Sequence, residues 1–168
     1  AMRLDLTAVG GPGEMVVEQI FDGKMGYSLN SMQGDSDITG HQLDNMRNGA
    51  FPTPLLKYKD AGLTFEVLPK EKVNGREAIV VRVTPKTGTA SRVFFDAETF
   101  LVVRTIAMIG SPTGGDLEQT SEPSDYRTVD GVKVAFQIVN TNDLQTLTMK
   151  FTKVEHNVAI DDAMFVKK

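Results

Sequence analysis

The chain has no cysteine and no tryptophan, and only two histidines, His41 and His156, among its 168 residues. Without thiols there is no disulfide, no cysteine-ligated zinc, no iron–sulfur cluster and no thiol nucleophile. The histidines lie far apart with no HxH or HExxH spacing, so neither gains a second metal ligand nearby, and no metal or other cofactor is expected. Long apolar runs are missing as well. The densest, Ala78 to Val81 and Phe100 to Val103, are strand-sized, against the roughly 18 to 20 residues of a membrane-spanning helix. Nor is there a basic stripe: eighteen Lys+Arg against twenty-two Asp+Glu leave a net charge of −4, and the cations are scattered singly. A nucleic-acid partner is not expected from that pattern.

What is present reads as antiparallel sheet. Short alternating or β-branched runs follow one another, separated by turn residues. Arg3 to Val9, Glu14 to Phe21 and Lys24 to Leu29 come first; Leu63 to Leu68, Glu77 to Thr84, Ser91 to Phe95, Phe100 to Ile109, Leu117 to Val129, Val132 to Thr141 and Leu144 to Val154 follow. Gly10-Gly11-Pro12-Gly13, Asp22-Gly23, Asn74-Gly75, Asp130-Gly131 and Asn142-Asp143 punctuate them. Connections this short pair neighbouring strands in a meander, because a parallel crossover needs a dozen or more residues. The interruption runs from Thr39 to Lys59. Thr39 can cap a helix carrying Leu43 and Met46, ended by Gly49 and Pro52, and a second short helix over Pro54 to Asp60 starts on proline.

Alternation also assigns faces. Leu63, Phe65 and Val67 share one side of their strand, as do Ile79, Val81 and Val83, then Val132, Val134, Phe136 and Ile138, then Leu147, Met149 and Phe151. About ten such strands curl through their twist, and a curved sheet needs an apolar cover. The segments around Leu43, Met46, Phe51, Leu55, Leu56 and Tyr58 are the available cover, and two short helices leave an apolar cleft.

Polar clusters read mainly as structure. Asp35 and Asp37 form a DxD without the sixth-position glycine and twelfth-position glutamate of a calcium loop. Glu14 with Glu18, and Asp96 with Glu98, are expected in exposed strand or turn positions, where nothing desolvates a carboxylate for acid/base work. Asp161-Asp162 suits the cap of a last helical turn before Phe165. Asp125-Tyr126-Arg127 is the most attractive cluster, though Tyr and Arg in strands commonly cover sheet surface. No G-x-S-x-G elbow or P-loop occurs. Eight methionines, Met25, Met32, Met46, Met108, Met149 and Met164 among them, supply adaptable apolar surface, either as core filling or as the lining of a groove.

The order of features is more specific than any one of them. "IFDGKMGYSLN" (residues 20–30), "ITGHQLDNM" (38–46), "VNGREAIVVRVTP" (73–85), "VFFDAETFLVVR" (93–104), "SDYRTVDGVKVAFQI" (124–138) and "VEHNVAIDDAMF" (154–165) resemble the LolA-like superfamily of outer-membrane lipoprotein-sorting and related envelope proteins. The resemblance implies a mainly β fold, an unclosed β-barrel made of one strongly curved antiparallel sheet with one or two short helices across its concave face. It departs from that pattern where Phe100 and Ala135 stand for an expected glycine and proline. The superfamily's long N-terminal helix and first strands are unmatched, so the expectation is a single LolA-like domain over residues 1–168 without them.

The resemblance further implies a non-enzymatic protein of the periplasm or cell envelope, its leader not present in this chain. Its partner would be a lipid, acyl chain or acylated peptide, held by Leu43, Met46, Leu55, Tyr58, Ile79, Val81, Phe136, Met149 and Phe151, with no catalytic residue. The alternative is an interaction or sensor module of a larger envelope protein, docking a protein partner or a second copy through its sheet edge.

Overall fold

A computed structural model describes residues 2–9, 14–31, 34–49, 54–60, 62–86, 88–110 and 115–166. The Gly10-Gly11-Pro12-Gly13 reversal, Met32, Phe51 and the His41 side chain lie outside the described residues. The strands divide between two antiparallel sheets, and the chain between two compact units: residues Ala1–Lys57 with Ala159–Lys168, and residues Tyr58–Val158.

The first unit is a four-stranded meander of β1 (Met2–Val9), β2 (Glu14–Phe21), β3 (Gly26–Asn30) and β4 (Ser36–Ile38), in that spatial order. Helix α1 (Gly40–Gly49) follows, then a single 3-10 turn over Pro54–Lys57, shorter than the stretch to Asp60 that the proline start suggests. Buried Phe21, Ile38 and Met46 form its core, with Leu43 packed against them. Gly26 is what lets α1 approach: a Cβ there would meet the Ile38 Cβ at 3.0 Å, and the Leu43 Cδ1 and Met46 Sδ at 3.2 Å. Asp161 caps a final turn over Asp162–Phe165, its side chain accepting the Ala163 N–H at 2.9 Å, as its position before Met164 and Phe165 suggests.

The second unit is a seven-stranded sheet of β5 (Thr64–Val73), β6 (Arg76–Thr84), β7 (Ser91–Asp96), β8 (Val102–Gly110), β9 (Asp116–Val129), β10 (Val132–Thr141) and β11 (Thr146–Lys150). Each strand pairs with its sequence neighbour, and the sheet does not close, leaving β5 and β11 as edges. Asn74-Gly75 and Asp130-Gly131 turn their hairpins with positive φ at both residues, the geometry that matches strand twist.

Residues opposite one another in a ladder point the same way. Val81, Val93, Thr105, Ser121 and Asn140 are successive partners, so they share one face with Ile79, Val83, Phe136 and Ile138. The other face carries Leu68, Val80, Phe94 and Arg104 across four strands. There Val73, Ala78, Val80 and Phe94 are fully buried, with Leu68, Val103 and Ile106 against them.

Candidate functional site

That second face holds a cavity of about 440 Å³. Its walls come from Val73 of β5, Arg76 and Glu77 of β6, Asp96 of β7, Val103 of β8, Glu122 to Ser124 and Tyr126 of β9, and Gln137 and Val139 of β10. In a flat sheet β5 and β10, five steps apart, would stand about 24 Å from one another. A compact cavity of that volume does not span such a distance, so the sheet bends around it and this face is the inside of the curve. The apolar cleft expected from the sequence belongs over the Ile79, Val81 and Phe136 face, and this cavity lies on the other.

Its apolar lining is Val73, Leu101, Val103 and Val139, and its charged groups are held in ion pairs. Asp96 is only 3% exposed. Its carboxylate accepts the Glu98 N–H at 3.1 Å, the Thr99 N–H at 2.8 Å and the Thr99 hydroxyl at 2.9 Å, and it pairs with Arg76 Nε at 3.0 Å. The Thr99 backbone bond, with the Thr99 hydroxyl, the Glu98 N–H and Arg76 adding to it, outweighs burial and holds this carboxyl below its usual 3.8. The expectation of an exposed Asp96 is corrected here: the β7–β8 turn folds Thr99 back onto it. Arg76 also reaches Glu98 at 3.0 Å.

Across the cavity, Arg104 holds Glu122 at 2.6 Å while its guanidinium lies 5.8 Å from the centre of the Phe94 ring. Tyr126 donates its hydroxyl to the Val102 carbonyl at 2.7 Å, and partial burial raises its phenol above the usual 10. No buried polar side-chain atom among the described residues lacks a partner. The arrangement is a small pocket of mixed polar and apolar lining, in which the one buried carboxylate, Asp96, is held in the ionised form.

The sequence-predicted ligand residues lie elsewhere. Leu43 and Met46 are in the core of the first unit, and Leu55 is exposed on its 3-10 turn. Ile79, Val81, Phe136 and Met149 share one face of the seven-stranded sheet, Met149 opposite Ile138, but β6 and β10 are four strand steps apart and that is the face away from the cavity. Tyr58 packs edge-to-face on Phe65 with ring centres 5.6 Å apart, Phe65 standing opposite Val83 on this same face. Phe151 follows β11 and donates its N–H to the Phe136 carbonyl. Arg127 covers the buried Phe136 ring at 4.3 Å and is forked onto Asp125, the surface-covering role expected of it. His156 meets Asp130 at 3.2 Å beside the β9–β10 turn.

The residues that sequence reasoning missed are the cavity walls, above all Val73, Val103, Gln137 and Val139. Their strands present mixed polar and apolar residues on this side, which alternation reads as a solvated face. The one signal in the sequence is the mid-strand pair of opposite charges Arg104 and Glu122, on consecutive strands and both half-buried.

No family model matches the chain, and no curated protein matches it either. Among solved structures it is similar to a LolA superfamily protein from Nitrosomonas europaea, with TM-score 0.52 and 11% identity over 98% of this chain and 86% of that one. It is likewise similar to a DUF1329 family protein from Desulfovibrio piger, with TM-score 0.53 and 16% identity over 95% and 79%. A domain from Vibrio parahaemolyticus named for outer-membrane lipoprotein sorting aligns at TM-score 0.43 and 19% identity, over 92% and 80%. The chain has a LolA-like fold: mainly β, built on an open, curved antiparallel sheet with few helices.

Proposed function

We propose that this is a non-enzymatic envelope protein that binds a hydrophobic ligand with a polar end, a lipid or an acyl chain, in the hollow of its seven-stranded sheet. The observation that carries the reading is the cavity itself, about 440 Å³, lined by apolar side chains together with charged groups already paired. That volume is in the range of small-molecule sites, and an apolar guest would gain by removing its own surface from water. The fixed ionisation of Asp96 supports binding over acid/base chemistry. The LolA-like fold supports the envelope location.

The test is saturable binding of dansyl-undecanoic acid. Val139→Phe puts a larger side chain into the cavity and is expected to weaken binding if the hollow is the site. The competing placement puts the ligand over Ile79, Val81, Phe136 and Met149 on the opposite face, where Val81→Asp would weaken binding and Val139→Phe would not.

A second reading, docking of a protein partner or a second copy through a sheet edge, draws on β5, where Phe65 is exposed and Val67 is 73% exposed on an edge strand. It predicts a dimer in sedimentation equilibrium that Val67→Lys dissolves.

A further inference from the structure

We propose that Phe100 is an affinity-determining residue of the cavity, held at a cost in stability so that its ring can close over an apolar ligand at the mouth. The inference rests on the ligand-binding reading and extends it to a residue outside the cavity wall.

Among the described residues five non-glycines have positive φ: Asn74, Phe100, Asp125, Asp130 and Asn157. Four are Asn or Asp, whose short polar side chains tolerate the left-handed region. Phe100, at φ 58, is the one bulky apolar side chain placed there. It gains little packing in return, since it is 67% exposed. The turn around it is tightly specified: its N–H donates to the Asp96 carbonyl at 2.9 Å, and the Asp96 N–H donates to the Leu101 carbonyl at 2.9 Å. Glycine would fit this backbone without strain and would remove an exposed aromatic. Folding alone therefore argues against phenylalanine at this position.

The location supplies a use. Thr99 and Leu101, on either side of Phe100, both line the cavity, as does Asp96, whose carbonyl anchors the turn. Phe100 itself is not part of the lining, but the residues on both sides of it are, on a turn fixed by hydrogen bonds. Strain of this kind persists where surrounding structure over-determines the backbone and a site makes use of it. A rotation of the exposed ring toward a bound acyl chain would remove apolar surface of both from water.

Three variants test this, each measured for thermal midpoint and for binding of dansyl-undecanoic acid. Phe100→Gly is expected to raise the midpoint by about 2–4 °C as the left-handed strain is relieved, and to weaken binding about tenfold. Phe100→Ala keeps the strain, so it is expected to weaken binding similarly with no gain in midpoint. Val132→Ala removes an exposed apolar residue beside the β9–β10 turn of the same sheet and is expected to bind as the parent does. Parent-like binding by both Phe100 variants overturns the inference and leaves the ligand-binding reading standing. So does an equal loss in Val132→Ala, which would mean that the probe adheres to any exposed apolar group. A Phe100→Gly protein less stable than the parent contradicts the strain on which the inference rests. Absence of saturable binding by the parent protein overturns both.

Discussion

Arg76 grips the almost fully buried carboxylate of Asp96 at 3.0 Å, joining β6 to the end of β7 at the rim of the cavity. Asp96 also takes three hydrogen bonds from Glu98 and Thr99, so the two partners are unequal. Removing Asp96 unmakes the turn; removing Arg76, which is mostly exposed, unmakes its ion pairs with Asp96 and Glu98 and leaves the turn's hydrogen bonds in place. Asp96→Ala is therefore expected to lower the thermal midpoint clearly more than Arg76→Ala, as read by circular dichroism. Equal losses would show that the ion pair, and not the turn, holds the rim.

The Asp96 carboxyl sits below its usual 3.8 in the folded protein, so folding favours the ionised form. Its contribution is complete above about pH 4 and is lost as pH falls through the lower folded value. Urea midpoints between pH 5 and pH 2.5 are expected to fall less steeply in Asp96→Asn than in the parent.

Tyr126 carries the opposite sign. Its phenol is raised by burial, so its contribution is complete below about pH 10 and is lost as pH rises through the folded value. Tyr126→Phe deletes the 2.7 Å bond to the Val102 carbonyl and is expected to cost about 1 kcal/mol at neutral pH. The variant should also lose part of the alkaline decline in stability seen in the parent, measured by urea titration at pH 8 and pH 11.

Gly26 tests the packing of the first unit. A methyl group there meets Ile38, Leu43 and Met46 at 3.0–3.2 Å, so Gly26→Ala forces α1 away from the sheet. The expected loss is about 1–3 kcal/mol, read as a lower urea midpoint. A neutral substitution would show that α1 can yield without cost.

Much of this architecture is legible in the sequence because it is local. Hairpin turns such as Asn74-Gly75 and Asp130-Gly131 name their own geometry, and strands joined by them pair in order. The glycine expected in place of Phe100 marks a position whose backbone is indeed left-handed. Strand β4 is missed because Ser36-Asp37-Ile38 is too short to show alternation. The division into two sheets is missed because it is non-local: the connection from Thr39 to Leu63 is too long to impose pairing between β4 and β5. The inside of the curve is missed for a related reason. Alternation separates the two faces of each strand correctly, but which face becomes concave depends on strands five places apart. The apolar run Val132, Val134, Phe136 and Ile138 draws attention away from Gln137 and Val139, which line the hollow.

The most direct test of a ligand in that hollow is mass spectrometry of organic extracts from gently purified protein, parent beside Val139→Phe. A lipid or fatty acid in near-stoichiometric amount with the parent and in clearly lower amount with the variant is the expected result. Equal recovery from the two proteins, or none from a parent that also fails to take up dansyl-undecanoic acid, would contradict it.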